Sequence, residues 1–361
     1  MNIAFAAIDP YLEDNIIENN QKEIKGQKLI SYGDRNIYPQ YIDDLYESVS
    51  TLKSIINGMA DYVCGENVEI RLPQYSERIN KDDETIEDIV RQMAVSYVEY
   101  GGFALNIVRN HIGGIAGIYV LDFKNVRTNK KNTEFYYSEE WAEKTYGRVK
   151  FTTYPAFDPD DRAQASSILY VKNDKKTVYP SPTWGGAVIS AEILKHINEF
   201  HLNSLYNGLS GDYIVNFSNG TPTDEVKEEI EDTWCEKFTG FQNGGRQILS
   251  FNPDVQHRVM VEAIPQNNYI DKFNAIEKTS KQDIYSAFRC HPVLFGLPTE
   301  QSGWSDQDFK EAFKLANKTV ILPIQKVVKR TFEKIFGEKE VINIEPFNIN
   351  WEETEKTDEV E

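Results

Sequence analysis

Apolar residues recur every three or four positions in two stretches of the first half of the chain, which is the spacing of amphipathic helices. One predicted helix runs from Ser50, its expected N-cap, to a glycine stop at Gly65. Another runs from about Asp83 to Tyr100 and ends before a pair of glycines. Their predicted buried faces are Leu52, Ile55, Ile56, Met59 and Val63 in the first helix and Ile86, Ile89, Val90, Met93 and Tyr97 in the second.

Short runs rich in β-branched and aromatic residues predict strands in the same half. FALNIVRN at 103–110 and IAGIYVLDF at 115–123 flank a Gly-Gly turn, so they predict a hairpin. Further strand-like segments cover 149–153 and 168–172. This half is therefore predicted to be α+β, with an antiparallel or mixed sheet.

The helical spacing returns in a long helix that is expected to end at Asn207 and Gly208. Its apolar stripe is Ile189, Ile193, Ile197 and Phe200. The next segment contains the strand DYIVNF, a helix opened by Thr221 and Pro222, and the strand-like runs RQILSF and HRVMVEA. The face of the short helix that should point to a core is Val226, Ile230, Trp234 and Phe238. A small α/β unit is thus predicted after the long helix.

A second long helix follows Pro265, with the stripe Ile270, Phe273, Ile276, Ile284 and Phe288. After an apolar loop, Ser305 is expected to cap another helix, which Pro323 should bend because it has no N–H to donate. The apolar residues of this helix are Phe309, Phe313, Ala316, Val320, Ile324, Val327 and Ile335. VINIEPFNINW then predicts a terminal strand, and EETEKTDEVE a solvated acidic tail.

Composition and charge narrow the class of protein. The 361 residues are 40% hydrophobic, so the chain can bury a sizeable core in two or more units. With 39 Lys and Arg against 57 Asp and Glu, the net charge is −18, which argues against a conventional binder of nucleic acid or anionic lipid. A protein past which DNA slides is still allowed, because tight binding to a duplex depends on counterions released by Lys and Arg contacts.

The cysteines and the termini favour a reducing compartment. Cys64, Cys235 and Cys290 are odd in number and far apart, so they predict neither a disulfide framework nor a structural zinc. The N-terminus has no basic leader, and no apolar run approaches the roughly 20 residues of a membrane span. We expect a soluble protein made in the cytoplasm.

Motifs for nucleotide, metal or nucleophilic chemistry lack the required spacing. His196 and His201 are five positions apart rather than the four of a zinc-protease helix, so packing or surface roles are the stronger expectation. GGIAG and GLSG match neither a dinucleotide turn nor a nucleophile elbow, and no P-loop lysine motif occurs. A cysteine nucleophile needs a base that is held in place by a third group, and the adjacency of Cys290 and His291 in sequence does not provide that geometry. We therefore expect Cys290 to be a small buried residue.

Two charged groups keep alternative interpretations open. Asp158, Asp160 and Asp161 are expected in a solvated turn, with a catalytic metal cluster as the less favoured interpretation. The last helix carries Lys310, Lys314, Lys318, Lys326, Lys329, Arg330 and Lys334. These basic residues predict mainly the solvent-exposed face of an amphipathic helix. Contacts of Lys310, Lys314 and Lys318 with phosphate or with a neighbouring subunit are the alternative.

The order of these elements resembles the portal proteins of tailed double-stranded DNA phages, over about 32–351. YGDRNIYP and the helix ending at Gly65, with VEYGGFALNIVRN and GGIAGIYVLDFKNVR, are similar to the family's wing. The next similarity is to the segment in which the family's first stem helix enters the clip: here a PSP motif precedes a long helix, which is followed by YNG and a strand. TPTDEVKEEIEDTWCEKFTGFQNGGRQILS is similar to the clip, and IYSAFRCHPVLFGL to the junction between second stem helix and tunnel loop. The chain ends soon after its last strand, which leaves little or no crown.

The resemblance implies a portal-like α+β fold with these segments: first part of the wing 1–182, first stem helix 183–210, clip 211–263, second stem helix 264–290, tunnel loop 291–305, long kinked helix 306–337, terminal strand 338–351 and acidic tail 352–361. It implies a homo-oligomeric ring, in the family a dodecamer, at one capsid vertex of the virion. Double-stranded DNA would pass through it during packaging and ejection. Terminase, a head–tail adaptor and the major capsid protein would be its partners, with assembly in the bacterial cytoplasm, no membrane, no catalytic residue, no metal and no cofactor.

The resemblance also assigns roles to residues. In the tunnel loop the apolar anchors would be Val293, Leu294, Phe295 and Leu297. The prolines that stiffen its ends would be Pro292 and Pro298. The tip, which should have little affinity for DNA, would be Glu300, Gln301, Ser302 and Gly303. Trp304 would be either a packing anchor or a contact with DNA, and packing is the stronger expectation. The clip residues expected to meet terminase or adaptor are Val226, Ile230, Trp234, Phe238 and Arg246.

Two other functions predict different behaviour. A hydrolase using Asp158, Asp160 and Asp161 would show metal-dependent activity as a monomer or small oligomer. An acidic interaction module without a channel would stay monomeric. A portal predicts a ring without catalysis, so the assembly state separates it from the other two, and metal-dependent activity separates the hydrolase from the interaction module.

Overall fold

The computed structural model describes residues 3–5, 16–24, 28–141, 149–207, 213–217, 222–223, 225–227, 229–230, 233, 247–251, 269–296 and 305–349. The chain divides into two compact units, one of 1–16 with 189–282 and one of 17–188 with 283–361. The helices are α1 Tyr38–Ser48, α2 Ser50–Cys64, α3 Ile86–Tyr100, α4 Val188–Asn207, α5 Tyr269–Phe288, α6 Asp306–Ala316 and α7 Leu322–Phe336. The strands are β1 Ile3–Phe5, β2 Asn67–Ile70, β3 Gly102–Arg109, β4 Ile115–Leu121, β5 Val126–Thr128, β6 Glu134–Tyr137, β7 Thr152–Pro155, β8 Ser166–Lys172, β9 Tyr213–Phe217, β10 Gln247–Phe251 and β11 Ile342–Glu345.

Helix α2 follows the predicted pattern except at its start. The five apolar residues expected on its inner face are all buried, and Gly65 ends the helix with a positive φ of 70°. The predicted cap at Ser50 is wrong, because Val49 occupies the N-cap position and Ser50 is the first helical residue. Val49 also closes α1, donating its N–H to the Leu45 carbonyl at 3.0 Å. The two helices share one connecting residue, which leaves no place for a serine cap.

Helix α3 begins at Ile86, three residues after the predicted start at about Asp83, and a capping box at Thr85 opens it. The Thr85 hydroxyl accepts from the Asp88 N–H at 3.2 Å, and the Asp88 carboxylate accepts from the Thr85 N–H at 2.9 Å. These bonds satisfy free N–H groups at the helix start. Gly101 ends the helix in the left-handed conformation, with φ 83°.

The larger unit contains antiparallel sheets. β3 pairs with β4, as the hairpin prediction required, and also with β8. β5, β6 and β7 form a second sheet, in which the strand expected at 149–153 lies at 152–155. β2 pairs with β11, so the terminal strand predicted from VINIEPFNINW joins a strand almost 280 residues earlier. Among the described residues this unit is therefore α+β, with antiparallel pairing between its strands.

One apolar core joins the two ends of this unit. Helix α3 and strand β3 contribute Ile89, Val90, Met93, Phe103, Leu105 and Ile107, and the C-terminal elements contribute Val328, Phe332, Ile335, Ile342 and Ile344. All of these side chains are buried. The last helix and strand are thus part of the core that the first half builds.

The smaller unit contains a three-stranded sheet in the order β1-β10-β9. β9 and β10 are parallel, which requires a crossover, and helical residues at 225–227, 229–230 and 233 lie between them in sequence. β1 pairs antiparallel with β10, Ile3 opposite Ser250. The first strand therefore belongs to the sheet of the inserted segment, whereas the sequence boundary at 1–182 places it in the wing.

The last long helix changes its hydrogen-bonding pattern near the proline. α6 and α7 are joined by a π-helical turn, Asn317–Ile321, and Pro323 is the second residue of α7. Pro323 cannot donate to the carbonyl four residues earlier, so a wider turn at this point accommodates it. The irregularity was predicted at this position, and it takes the form of a π-helical turn.

Candidate functional site

The segment after α5 is a tightly bonded turn. The Cys290 N–H donates to the Tyr285 carbonyl at 3.2 Å, and the preceding Arg289 has a positive φ of 55°. Pro292–Phe295 then forms one turn of 3-10 helix that ends at Gly296, whose φ is 74°. Hydrogen-bonded turns therefore define the path of the backbone from the end of α5 to Gly296.

Two residues of this turn are buried and hold it against α2. Val293 and Leu294 are buried, as expected of apolar anchors, while Pro292 is partly exposed. The Tyr62 hydroxyl donates to the Leu294 carbonyl at 2.6 Å. Burial raises the pKa of Tyr62 to about 12, so the hydroxyl keeps the proton that it donates.

The ring of Phe295 packs between two tyrosines. Its centroid lies 6.3 Å from that of Tyr62 and 6.1 Å from that of Tyr285. It also lies over Gly58 of α2, where an added Cβ would be 2.9 Å from Cδ1 and Cε1 of Phe295. The ring therefore occupies space that exists because position 58 has no side chain.

The chain becomes regular again at Ser305, where a second capping box opens α6. The Ser305 hydroxyl accepts from the Asp308 N–H at 3.2 Å, and Asp308 accepts from the Ser305 N–H at 3.1 Å and from its hydroxyl at 2.8 Å. These hydrogen bonds hold the pKa of Asp308 below its usual range. The cap that the sequence predicted at Ser305 is present.

One aromatic cluster contacts both ends of the loop. We call it the Tyr62 cluster, and its members are Tyr62, Tyr285, Phe295, Phe309, Phe313 and Phe347. Besides contacting Phe295, Tyr62 lies 5.5 Å from Phe313 and 5.2 Å from Phe347, measured between ring centroids. Phe309 stacks on Phe313 at 6.2 Å. The start of the loop and the helix after it are thus fixed to the same side chain of α2. The sequence marked no role for Tyr62, and the glycine inside α2 was the one available signal.

The remaining loop residues of the prediction, Leu297, Pro298, Glu300, Gln301, Ser302, Gly303 and Trp304, lie outside the described residues. On the following helix the Lys310 ammonium lies 2.6 Å from the Asp306 carboxylate. Lys314 and Lys318 are exposed. Of the three candidate phosphate or subunit contacts, Lys310 is therefore engaged within its own helix.

The candidates for reactive chemistry have structural roles. Burial raises the pKa of Cys290 to about 12, so its sulfur is a thiol at neutral pH, and His291 Nδ1 accepts from the Val293 N–H at 3.3 Å. The Asp158 and Asp161 carboxylates accept backbone N–H groups two residues on, at 3.0 and 3.1 Å. This is the geometry of solvated turns.

The two histidines of the long helix are also accounted for. His196 lies between the carboxylates of Glu192 and Glu199, at 3.0 and 2.9 Å, and His201 packs edge-on against Phe273. No cluster of three or more histidine, cysteine or acidic side chains suited to a metal occurs in the part of the chain that the structure describes.

The two long helices expose apolar side chains. Phe200 of α4 packs on Phe273 of α5, with ring centroids 5.1 Å apart. Of the apolar stripe predicted on α4, Ile197 is buried, whereas Ile189 is 59% and Ile193 36% exposed. The buried face of α4 includes Ala191 and Leu194. It is centred about a third of a turn around the helix from the predicted stripe. Among the side chains of these helices that the structure describes, Leu202 and Ile276 are also large, apolar and exposed.

The candidate contact residues of the inserted segment are described only in part. Val226 is 43% exposed, so the expectation that it faces a core is wrong, and Ile230 is partly buried. Trp234, Phe238 and Arg246 lie outside the described residues, as do Thr221 and the predicted strand at 257–263.

Within the described ranges, no helix is both long and apolar enough to cross a bilayer.

The site thus consists of an anchored turn before the segment 297–304 and of apolar side chains exposed on the long helices. Residues 74–351 match the family model described as phage portal protein, and the chain belongs to that family. A curated relative, the "Probable portal protein" of Haemophilus phage HP1 (strain HP1c1), is 24% identical over 251 residues, which are 68% of each protein.

Two solved assemblies contain chains of similar fold. In the virion of a native gene transfer agent particle, a chain matches with TM-score 0.53 and 15% identity, over 86% of this chain and 84% of that one. In the neck of a native gene transfer agent particle computed with C12 symmetry, the values are 0.53 and 15%, over 87% and 85%. At such low identity the likeness establishes the fold, which is the predicted portal-like α+β fold.

Proposed function

We propose that this chain assembles into a ring at one capsid vertex of a tailed phage and that double-stranded DNA passes along its axis during packaging and ejection. Family membership supports the general role, and the C12 neck of the gene transfer agent supports a ring of twelve copies. The site of action is the portal vertex of the virion, after assembly in the host cytoplasm. The observation that carries the channel proposal is that the chain is anchored on both sides of the segment 297–304, by the turn Pro292–Phe295 before it and by the helix cap Ser305 after it.

The loop is suited to touch DNA without holding it. Its first turn is fixed by the hydrogen bond between Tyr62 and Leu294 and by Phe295 over Gly58, and its last residue is a helix cap. The proposed tip, Glu300, Gln301, Ser302 and Gly303, has no positive charge. Since affinity for a duplex comes largely from Lys and Arg contacts, such a tip lets DNA slide. We propose that Pro292 and Pro298 stiffen the ends of the loop and that Trp304 serves as a packing anchor or as a contact with DNA.

The exposed side chains of the long helices are proposed to form the contacts between subunits. Ile189, Ile193 and Leu202 on α4 and Ile276 on α5 expose apolar surface in the single chain. Packing them on the same helices of a neighbouring copy would remove that surface from water, at about 25 cal/mol for each Å² buried. Lys314 and Lys318 are proposed to lie near the next subunit or DNA phosphate.

We propose that the segment 211–263 meets the terminase during packaging and a head–tail adaptor afterwards, through Val226, Ile230, Trp234, Phe238 and Arg246. The exposure of Val226 supports a docking role. The unit of 17–188 would contact the major capsid protein. The hydrolysis that drives packaging is assigned to the terminase, so this chain needs neither catalytic residue nor cofactor.

A single charge change in the loop tests the channel. Glu300→Lys adds positive charge at the proposed tip, and Glu338→Lys makes the same change at an exposed position after α7. Both would be measured by the rate of DNA packaging into proheads carrying the variant ring. We expect E300K to slow packaging several-fold, because the duplex would bind the tip, and E338K to package at the wild-type rate. Equal rates for the two variants would contradict the proposal.

A further inference from the structure

The larger unit carries a concentration of lysines in an otherwise acidic chain. The segments 21–24, 28–31, 129–133 and 172–178 contain seven lysines and two acidic residues, although the whole chain has a net charge of −18. The lysines are Lys22, Lys28, Lys130, Lys131, Lys172, Lys175 and Lys176, and we call them the lysine patch. All except the partly buried Lys172 are exposed.

Backbone pairing and side-chain bonds bring these segments together. Leu29 forms a β-bridge with Asn129, so Lys28 lies beside the turn that carries Lys130 and Lys131, and the three line one surface depression with Glu23. The ammonium of Lys172 donates to the Asn132 side-chain oxygen at 3.0 Å and to the Val178 carbonyl at 3.1 Å. The two Lys-Lys turns are therefore neighbours, joined by Lys172.

The acidic residues of these segments are already used within them. Asp174 closes its own turn, accepting from the Lys176 N–H at 2.8 Å and from the Thr177 hydroxyl at 3.3 Å. Glu23 lies 3.5 Å from the Lys130 ammonium. The other Lys-Lys turn is held by Asn129, whose side-chain oxygen accepts from the Thr133 N–H at 3.0 Å. Both turns thus present their lysines on an ordered backbone, which reduces the entropy lost when a ligand binds.

We propose that the lysine patch binds the phosphate backbone of double-stranded DNA without regard to sequence, at a surface formed by residues other than the channel loop. A duplex has one negative charge per about 1.7 Å of its axis, so a group of closely spaced ammonium groups can meet several phosphates at once.

The composition of the patch favours DNA over an acidic protein. Protein interfaces usually have an apolar centre, and no large apolar side chain in these described segments is exposed. Interfaces with DNA are polar and strongly positive. Because the whole chain has a net charge of −18, a duplex would be held at the patch and repelled by the acidic chain elsewhere. This inference holds whether or not the segment 297–304 faces a channel.

The test measures binding of a fluorescent circular duplex, which cannot thread through a closed ring, to the assembled protein between 50 and 200 mM KCl. The variant K130Q/K131Q/K175Q/K176Q removes four charges, and the control K81Q/K326Q/K334Q/K339Q removes four from exposed positions outside the patch. Each lost phosphate contact lowers the slope of log affinity against log salt by about 0.9. We expect the patch variant to bind at least tenfold more weakly at 100 mM, with a slope smaller by about two to four, and the control to match the wild type.

Ring mass and thermal unfolding of both variants would be compared with the wild type, so that loss of binding is not loss of structure. Unchanged affinity and slope in the patch variant would overturn the proposal. So would an equal loss in the control, or a wild-type ring that does not bind the circle. Poly-glutamate that competes as well as linear duplex of equal charge would also overturn it, because the patch would then accept acidic protein.

Discussion

Gly58→Ala is a sensitive probe of how the loop is anchored. In a helix interior, replacing glycine by alanine normally stabilises a protein by about 1 kcal/mol. At position 58, however, the new methyl group would lie 2.9 Å from two ring atoms of Phe295, closer than carbon atoms approach without displacement. The ring would have to move away from its place between Tyr62 and Tyr285.

The two contributions have opposite signs, and their sum can be estimated. Overpacking by one methyl group costs about 1–3 kcal/mol, so G58A alone should leave stability unchanged or lower it by up to about 2 kcal/mol. With Phe295→Ala the obstruction is gone, and the same G58A change should stabilise by about 1 kcal/mol. The coupling between the two positions should therefore be about 1–3 kcal/mol.

Urea unfolding of the wild type, both single variants and the double variant gives this coupling directly. All four would be measured at one subunit concentration, with the assembly state of each checked by mass photometry. If G58A stabilises by about 1 kcal/mol in both backgrounds, Phe295 does not lie over position 58, and the anchoring described above is wrong.

Three further predictions concern titratable groups. With the other two cysteines replaced by alanine, Cys290 should react with a thiol reagent at pH 8 only after unfolding, because burial raises its pKa to about 12; rapid labelling of the folded protein would contradict this. Burial raises the pKa of Glu99 to about 8, so the folded state binds more protons than the unfolded one and stability should fall as pH rises from about 4.5 to 8, by about 3 kcal/mol at pH 7. Glu99→Gln should remove that slope in unfolding curves, and a slope that persists would refute the assignment. Ser305→Ala should raise the pKa of Asp308 toward its ordinary value, as followed by NMR titration, because two of its hydrogen-bond donors are disturbed.

The helices and the main hairpin could be predicted from the sequence because their signals are local. One-sided apolar spacing located α2, α3, α5 and the last long helix, and a Gly-Gly turn located the β3–β4 hairpin. The cap at Ser305 was predicted because serine followed by an acidic residue three positions later is a local pattern. At Ser50 the serine alone predicted a cap, without an acidic residue three positions later, and that prediction failed because α1 ends at Ser48 and Val49 serves both helices.

The rest depends on contacts between distant parts of the chain. The three-residue strand β1 is too short to signal a partner, and it pairs with residues near 250. The sequence likewise gave no signal that β11 pairs with β2. The spacing that predicted an apolar stripe on α4 did not show which residues of that stripe, such as Ile189 and Ile193, remain exposed in a single chain.

The candidate site divides in the same way. The apolar loop and its anchors Val293 and Leu294 were visible in the sequence, but the hydrogen bond from Tyr62, which lies 232 residues away, was not. The two Lys-Lys pairs can be read directly from the sequence, yet only the contacts of Lys172 with Asn132 and Val178 make them neighbours.

Electron microscopy of the purified protein over a range of salt concentrations, with mass determination on the same sample, tests the central claim most directly. We expect closed rings of identical subunits with an axial hole wide enough for a duplex, and, in a reconstruction, the loop that follows Gly296 at the wall of that hole. A uniform monomer under every condition, or a ring with this loop on its outer surface, would contradict the account.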